Sequence, residues 1–367
     1  MTLLLSAAAT VVLSFLLALV GTQLAKRLAV AWNFIAYAEP DRFHRSPTPM
    51  LGGVAILLAI LLPAVLALAL AVGWATGGEP TWLGEAIRAH IDAAPLKAPT
   101  AVAILAGAVA LHVIGLLDDR KRLGPWLKLT AQLTIAVAVV LLCNLRLLEM
   151  LGEPASSILS VAWILLIINA FNLLDHIDGL AAGVAAICAA ALLPAAIASG
   201  QLPIAGCLCL LAGAAAGFLV HNFPPASIFM GDAGSLVLGY LLAVLSILTT
   251  YRPDDPQAAY YGIFAPVVLM AVPLYDTFSV LTLRLRERAN LMVGDTRHFS
   301  HRLLRRGMRP RKAVLTIYLA TAATAIGASL LPRIDLTGAV LVFAQTAGIV
   351  LLIALLESAD RPRRGKA

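Results

Sequence analysis

Eleven apolar runs dominate this chain, each near the roughly 20 residues that an α-helix needs to cross a bilayer. They fall at about 3–25, 51–74, 99–117, 126–145, 156–174, 179–198, 202–221, 233–251, 262–283, 313–332 and 337–357. Inside hydrocarbon every backbone N–H and C=O must find a partner within the protein, so an isolated run of this kind forms a helix. The expectation is an all-α, polytopic membrane helix bundle with about eleven transmembrane helices. Composition agrees: 13% of the 367 residues are charged, against about 25% in soluble domains. The loops are too short for a second domain and no internal repeat is visible, so residues 1–367 read as a single integral membrane domain. Lys26 and Arg27 follow the first run, and no basic stretch precedes it. The run therefore reads as a retained helix and not as a cleaved signal. Cys143, Cys188, Cys207 and Cys209 all lie inside apolar runs and read as small core residues.

Lysine and arginine set the direction. With the N-terminus outside and the C-terminus cytoplasmic, 22 of the 27 basic residues fall on the inner side. Arg88, Lys97, Arg146, Arg252 and Arg333 remain outside. That asymmetry is the positive-inside pattern, and removing one helix from the middle would destroy it. The net charge of +7 is then mostly a topology signal, with attraction to anionic lipid or to a phosphorylated substrate secondary.

Under this topology the unusual polar stretches all face the cytoplasm. Asn169, Asn172 and Asp175 are three residues apart and would line one helix face, with Asp178 continuing the stripe until Gly179 turns the chain. The neighbouring loops carry Arg42-Phe-His44, Asp118-Asp119, His221-Asn222, Met230-Gly231-Asp232-Ala233-Gly234-Ser235 and Arg297-His298-Phe-Ser300-His301. Acids at membrane depth cost about 2.5–3.5 kcal/mol each on insertion scales, so they mark a wet cleft or a cation site. Asp118 and Asp119 point about 100° apart on a regular helix and cannot chelate one ion symmetrically. Asn172, Asp175, Asp178 and Asp232 are hard oxygen donors that suit Mg²⁺, and no cysteine or histidine spacing suits zinc. Arg42, His44, Lys128, Arg297, His298 and His301 add positive charge or donors, and acids beside cations are what phosphoryl transfer uses. His112, inside an apolar run, reads as an interhelical hydrogen-bonding residue. His221 is open to either a structural or a functional reading. Asp276 is an intramembrane acid that either works in the site or pairs with a neighbouring helix.

Taken in order from about residue 40 to 310, these pieces resemble the polyprenyl-phosphate N-acetylhexosamine-1-phosphate transferases, glycosyltransferase family 4. The matching residues are Arg42, His44, Pro47-Thr-Pro49 and Gly52-Gly53; Asp118-Asp119 with Lys128 and Gln132; and Asn169-Ala-Phe-Asn172-Leu-Leu-Asp175 with Asp178-Gly179-Leu180. Asn222-Phe-Pro-Pro225, Phe229-Met-Gly-Asp232 and Arg297-His298-Phe-Ser-His301-Arg302 complete the set. The resemblance implies Mg²⁺-dependent transfer (Mn²⁺ as substitute) of a sugar 1-phosphate from a UDP-sugar to undecaprenyl or another polyprenyl phosphate, with release of UMP. It implies catalytic roles for Asp118, Asp119 and Asp232, with Asn172 and Asp232 as metal ligands. Substrate contacts are implied for Arg42, His44, Lys128, Asp175, Asp178, Asn222, Arg297, His298 and His301. It further implies a multi-pass protein of the bacterial inner membrane with its site facing the cytoplasm, a homodimer, and no nucleic-acid partner.

Two positions depart from the family pattern. His176 stands where the acidic motif most often has Gly, and Ser300 interrupts the histidine motif. The spacing around His298 resembles the N-acetylglucosamine enzymes more than the phospho-N-acetylmuramoyl-pentapeptide enzymes, whose histidines are consecutive. UDP-N-acetylglucosamine is therefore the expected donor. A cation-coupled transporter is the rival from another class. It would place its acids near the midplane and often repeat itself in two halves, and neither feature is present.

Overall fold

The computed structural model describes residues 2–37, 47–78, 85–249, 260–287 and 298–358. Its long helices are α1 (Thr2–Ala31), α2 (Gly52–Gly77), α4 (Ala94–Lys121), α5 (Pro125–Cys143), α6 (Glu153–Leu174), α7 (Leu180–Ala198), α8 (Leu202–Asn222), α13 (Pro310–Leu330) and α14 (Leu336–Ser358). A short α3 (Glu85–Asp92) precedes α4, and β1 (Ile35–Ala36) pairs antiparallel with β2 (Thr48–Pro49). Nine helices among the described residues are long and apolar enough to cross a membrane. A tenth span is a bent pair.

That pair corrects the single helix expected at 262–283. The chain runs from Tyr261 to Leu269, through α10 (Ala265–Leu269), bends by 63°, and resumes as α11 (Ala271–Arg286). Pro273 explains the break, since it has no N–H for the Leu269 carbonyl and its ring crowds that carbonyl. The remaining apolar run, α9 (Asp232–Leu248), has 17 residues and so spans only about 25 Å. It is apolar all round, and a helix of that kind belongs in a core. Every residue from Ala233 to Ile247 is buried, with α2, α4, α6 and α7 packed around it.

The outer helices are the reverse. On α1, Leu4, Leu5 and Val20 stand 63–70% exposed, and Leu341, Leu351 and Leu352 of α14 are more than half exposed. An apolar surface of this extent has no place in water and is what a lipid-facing wall requires.

Two close approaches hold the starting end of α9 in place. A Cβ on Gly53 would strike the Gly234 backbone, and one on Gly115 would strike the backbone of Ala233. Glycine alone lets α2 and α4 come so near. Backbone bonds from Gly52 N–H to the Phe229 carbonyl (2.9 Å), from Gly53 N–H to Met230 (3.0 Å) and from Phe229 N–H to Pro49 (2.8 Å) lace the segment before α9 to the start of α2.

Candidate functional site

The start of α9 is where the polar side chains gather. Lys128 of α5 donates to Asp118 Oδ2 of α4 at 3.2 Å and to Asn172 Oδ1 of α6 at 3.0 Å, and it also contacts Asp232 Oδ2 of α9. Asn172 turns its amide to Asp232 Oδ1 (2.8 Å) and Ser235 Oγ (3.0 Å). Four helices thus meet on one ammonium.

Asp118 and Asp119 do different work. Asp119 turns both oxygens to the first turn of α9, accepting the N–H of Asp232 at 2.8 Å and of Ala233 at 3.1 Å. A helix start leaves its first N–H groups without partners and carries partial positive charge, so a carboxylate there is stabilising. The residue that would normally cap α9 is Gly231, at φ +69°, and a Cβ there would strike the Asp119 carboxylate. Asp119 therefore positions Asp232, and Asp118 is the member of the pair that faces Lys128.

The expected stripe on α6 ends early. Asn169 bonds Gln132 of α5 at 2.8 Å, Asn172 faces the ammonium, and the helix stops at Leu174. Asp178 lies beyond it in the turn and accepts the Ala226 N–H at 2.9 Å. Gly179, at φ +76°, reverses the chain into α7. Asn222 is buried and bridges the Gly179 N–H (2.8 Å) and the Ile228 carbonyl (2.9 Å). Asp178 and Asn222, for which the resemblance implied substrate contacts, join the 175–179 turn to the 223–231 loop through these bonds. Burial, then the charges of Asp232, Asp119 and Asp178, push the Asp175 carboxyl well above the ordinary carboxylate range.

A second cluster adjoins this turn. His298 caps α12 (Phe299–Arg305), and its Nδ1–H donates to Asp276 Oδ2 at 2.8 Å; the other Asp276 oxygen accepts the Phe299 N–H at 2.8 Å. Asp276, 1% exposed, thereby fixes both the ring and the helix start. The His176 ring stacks on His298, with centroids 4.1 Å apart, and lies 4.6 Å from His301. Burial first, then the imidazoles of His298 and His301, hold the His176 imidazole well below the usual histidine range, with Asp276 acting against them.

The structural readings of His112 and the cysteines hold. His112 donates from Nδ1 to the Ala233 carbonyl at 2.9 Å, joining α4 to α9, and all four cysteines are free thiols. His221 is bound to α1 through the Leu19 carbonyl (3.2 Å) and Gln23 (3.3 Å). Arg42, His44 and Arg297 lie outside the described residues. Sequence reasoning placed Ser235 in the polar stretch at the start of α9 without giving it a role, and it missed Tyr318 and Arg311, which hold the site's walls through the Gly179 and Pro224 carbonyls. A tyrosine in an apolar run and an arginine among many basic residues carry no distinguishing signal.

The donor set suits a hard divalent cation. Asp118, Asp119 and Asp232 converge at the start of α9 with Asp175 close enough to feel their charge, and Lys128 contacts two of them, Asp118 and Asp232. Carboxylate and amide oxygens gathered in this number around one ammonium are hard ligands of the kind that fit Mg²⁺.

A family model described as glycosyl transferase family 4 matches residues 101–250, which include Asp118, Lys128, Asn172 and Asp232. The chain is 31% identical to a probable undecaprenyl-phosphate N-acetylglucosaminyl 1-phosphate transferase of Bacillus subtilis, over 84% of this chain and 80% of the relative. It is 32% identical to the decaprenyl-phosphate N-acetylglucosaminephosphotransferase of Mycobacterium tuberculosis, over 91% and 85%. With an undecaprenyl-phosphate alpha-N-acetylglucosaminyl 1-phosphate transferase of Escherichia coli O157:H7 it shares 30% identity, over 62% and 64%. A four-helix acid and lysine centre, the family match across it and similarity over most of the chain lead to one conclusion: this multi-pass membrane protein belongs to glycosyl transferase family 4 and is a phosphosugar transferase.

Proposed function

We propose that this enzyme transfers N-acetylglucosamine 1-phosphate from UDP-N-acetylglucosamine to undecaprenyl or a related polyprenyl phosphate, releasing UMP, at the cytoplasmic face of the bacterial inner membrane. The observation that carries the reading is the meeting of Asp118, Lys128, Asn172 and Asp232 from α4, α5, α6 and α9. The names of the similar proteins supply the substrate class.

In this reaction a lipid phosphate oxygen attacks the phosphorus that bears the sugar. A new P–O bond forms, and the P–O bond to UMP breaks. The second pKa of a phosphate monoester is near 6, so the nucleophile is already largely dianionic at neutral pH. No strong base is needed. The larger barrier is bringing two anionic phosphates into line, and fixed cationic groups lower it. Asn172 and Asp232 would hold Mg²⁺, which would supply charge neutralisation at the pyrophosphate. Lys128 is placed to shift from carboxylates to an incoming phosphate. Asp118 orients the lipid phosphate and accepts any residual proton, while Asp119 keeps Asp232 at the head of α9.

Purified protein given UDP-N-acetylglucosamine, polyprenyl phosphate and Mg²⁺ should yield UMP and lipid-linked sugar together. Both products should vanish with EDTA and in Asp232→Ala. Turnover restricted to UDP-N-acetylmuramoyl-pentapeptide would overturn the donor assignment, and no product with any UDP-sugar from folded protein would overturn the reading itself.

A further inference from the structure

The two positions that depart from the family pattern touch each other. His176, in the turn after α6, meets the Ser300 hydroxyl through Nε2, while its Nδ1 faces the Leu173 carbonyl. A carbonyl only accepts, so Nδ1 carries the proton and Nε2 accepts from the Ser300 O–H. Ser300 is fully buried on the first turn of α12. Both nitrogens of the His176 ring are thus fixed, and its face lies against His298 at 21° between planes.

A metal site of His176, His298 and Asp276 is the obvious competing use, since their ligand atoms lie within 4.8 Å of one another. The geometry argues against it. Stacked rings direct their in-plane lone pairs side by side and not toward one point, and His176 has no nitrogen left to give. His298, with Nδ1 held by Asp276, keeps Nε2 without a hydrogen-bond partner among the described residues. The cluster therefore presents a ring nitrogen whose direction is set by Asp276 on one edge and by the His176 face on another.

We propose that His176 is a positioning residue of the transferase centre: anchored by Ser300, its ring wedges His298 and His301 into one fixed array and ties α12 to the turn that carries Asp175 and Asp178. The array sets where the histidine nitrogens meet substrate phosphate, which rests on the transferase reading above. The His176 ring meets the buried Ser300 hydroxyl directly, so a ring carried by α12 and one carried by the turn would compete for the same space. His176→Gly opens a gap and Ser300→His adds a ring where one already sits. The double variant restores the number of rings.

The test uses full-length protein in detergent with UDP-N-acetylglucosamine and polyprenyl phosphate. Each single variant should lower kcat by about tenfold or more, and the double should return to within about threefold of the parent, a coupling that independent sites do not show. His176→Phe, which keeps the ring, should lose less than His176→Gln, which keeps only an acceptor. A double variant as slow as the product of the singles, or singles at parental rates, would overturn the proposal. Ring ¹⁵N spectra of histidine-labelled protein test the array even if the donor assignment fails. Ser300→Ala should move the His298 and His301 signals, and unchanged signals would refute the wedge whatever the substrate.

Discussion

Adjacent carboxylates with opposite duties make a sharp test. Asp119 satisfies two N–H groups at the head of α9, at 2.8 and 3.1 Å. Asp119→Asn keeps one accepting oxygen and turns an NH₂ toward the other N–H. A buried donor left without a partner costs about 1–3 kcal/mol, and the lost charge at a helix N-terminus adds up to about 1 kcal/mol. The expected destabilisation is therefore about 1–4 kcal/mol. Asp118→Asn keeps an oxygen that can still accept from Lys128 and loses only the charge of that pair, while it also relieves like-charge repulsion with Asp232. Those effects oppose each other, and the net change should stay within about 1 kcal/mol.

Unfolding by SDS titration, followed by tryptophan fluorescence on purified protein, reads both variants on one scale. Turnover should fall in each, by about a hundredfold for Asp118→Asn if it orients the attacking phosphate. The signature is the split: Asp119→Asn loses stability and activity together, whereas Asp118→Asn loses activity alone. Equal destabilisation, or a larger loss at Asp118, would refute the division of labour and with it the account of how Asp232 is placed.

Three further outcomes follow from the same geometry. Asp175 has a raised carboxyl pKa in the folded state, so the folded state gives up that proton later than the unfolded chain and stability drains as pH rises from about 4 toward the folded value. Asp175→Asn should accordingly resist SDS better at pH 7 while losing turnover. His176 is shifted the other way: below about pH 6.5 the unfolded chain takes up a proton that the folded state refuses. Stability should then fall by up to about 1.4 kcal/mol per pH unit on acidification, and His176→Phe should flatten that slope in pH-stepped SDS titrations. Gly53→Ala forces a methyl against the Gly234 backbone, where no rotamer change can relieve it, and should cost about 1–3 kcal/mol; Gly73→Ala, in the same helix with nothing for its Cβ to meet, is the control that should leave stability unchanged or raise it by up to about 1 kcal/mol.

The spans were legible because hydrocarbon permits few backbone solutions, and hydropathy alone found α9. What hydropathy could not tell was that α9 is too short to behave as its neighbours do and is buried on every side. A run of Leu and Val reads alike against lipid and against protein. The break at Met270 had a local signal in Pro273, yet proline is tolerated inside several spans here, including Pro63 in α2 and Pro194 in α7. Only tertiary context decides which proline bends the chain.

Residue types announced the site's chemistry, but backbone partners assigned its roles. The 100° angle between Asp118 and Asp119 was predictable from helix geometry; which of them would meet the start of α9 depended on Gly115 and Gly53 letting three backbones converge. Likewise Asp178 and Asn222 carry the side chains that a ligand site calls for, and both are taken up by backbone groups in the folded chain. A centre built at helix ends exposes many orphan N–H and C=O groups. Some of its polar side chains must satisfy that backbone before any can face substrate. Lys128 and Asn172, and Asp118 and Asp232 beside them, bond one another as side chains, and such contacts can be exchanged for a substrate's without undoing a helix end. Under the proposed transfer, this physical difference separates the residues that would act from those that hold them, and residue type does not reveal it.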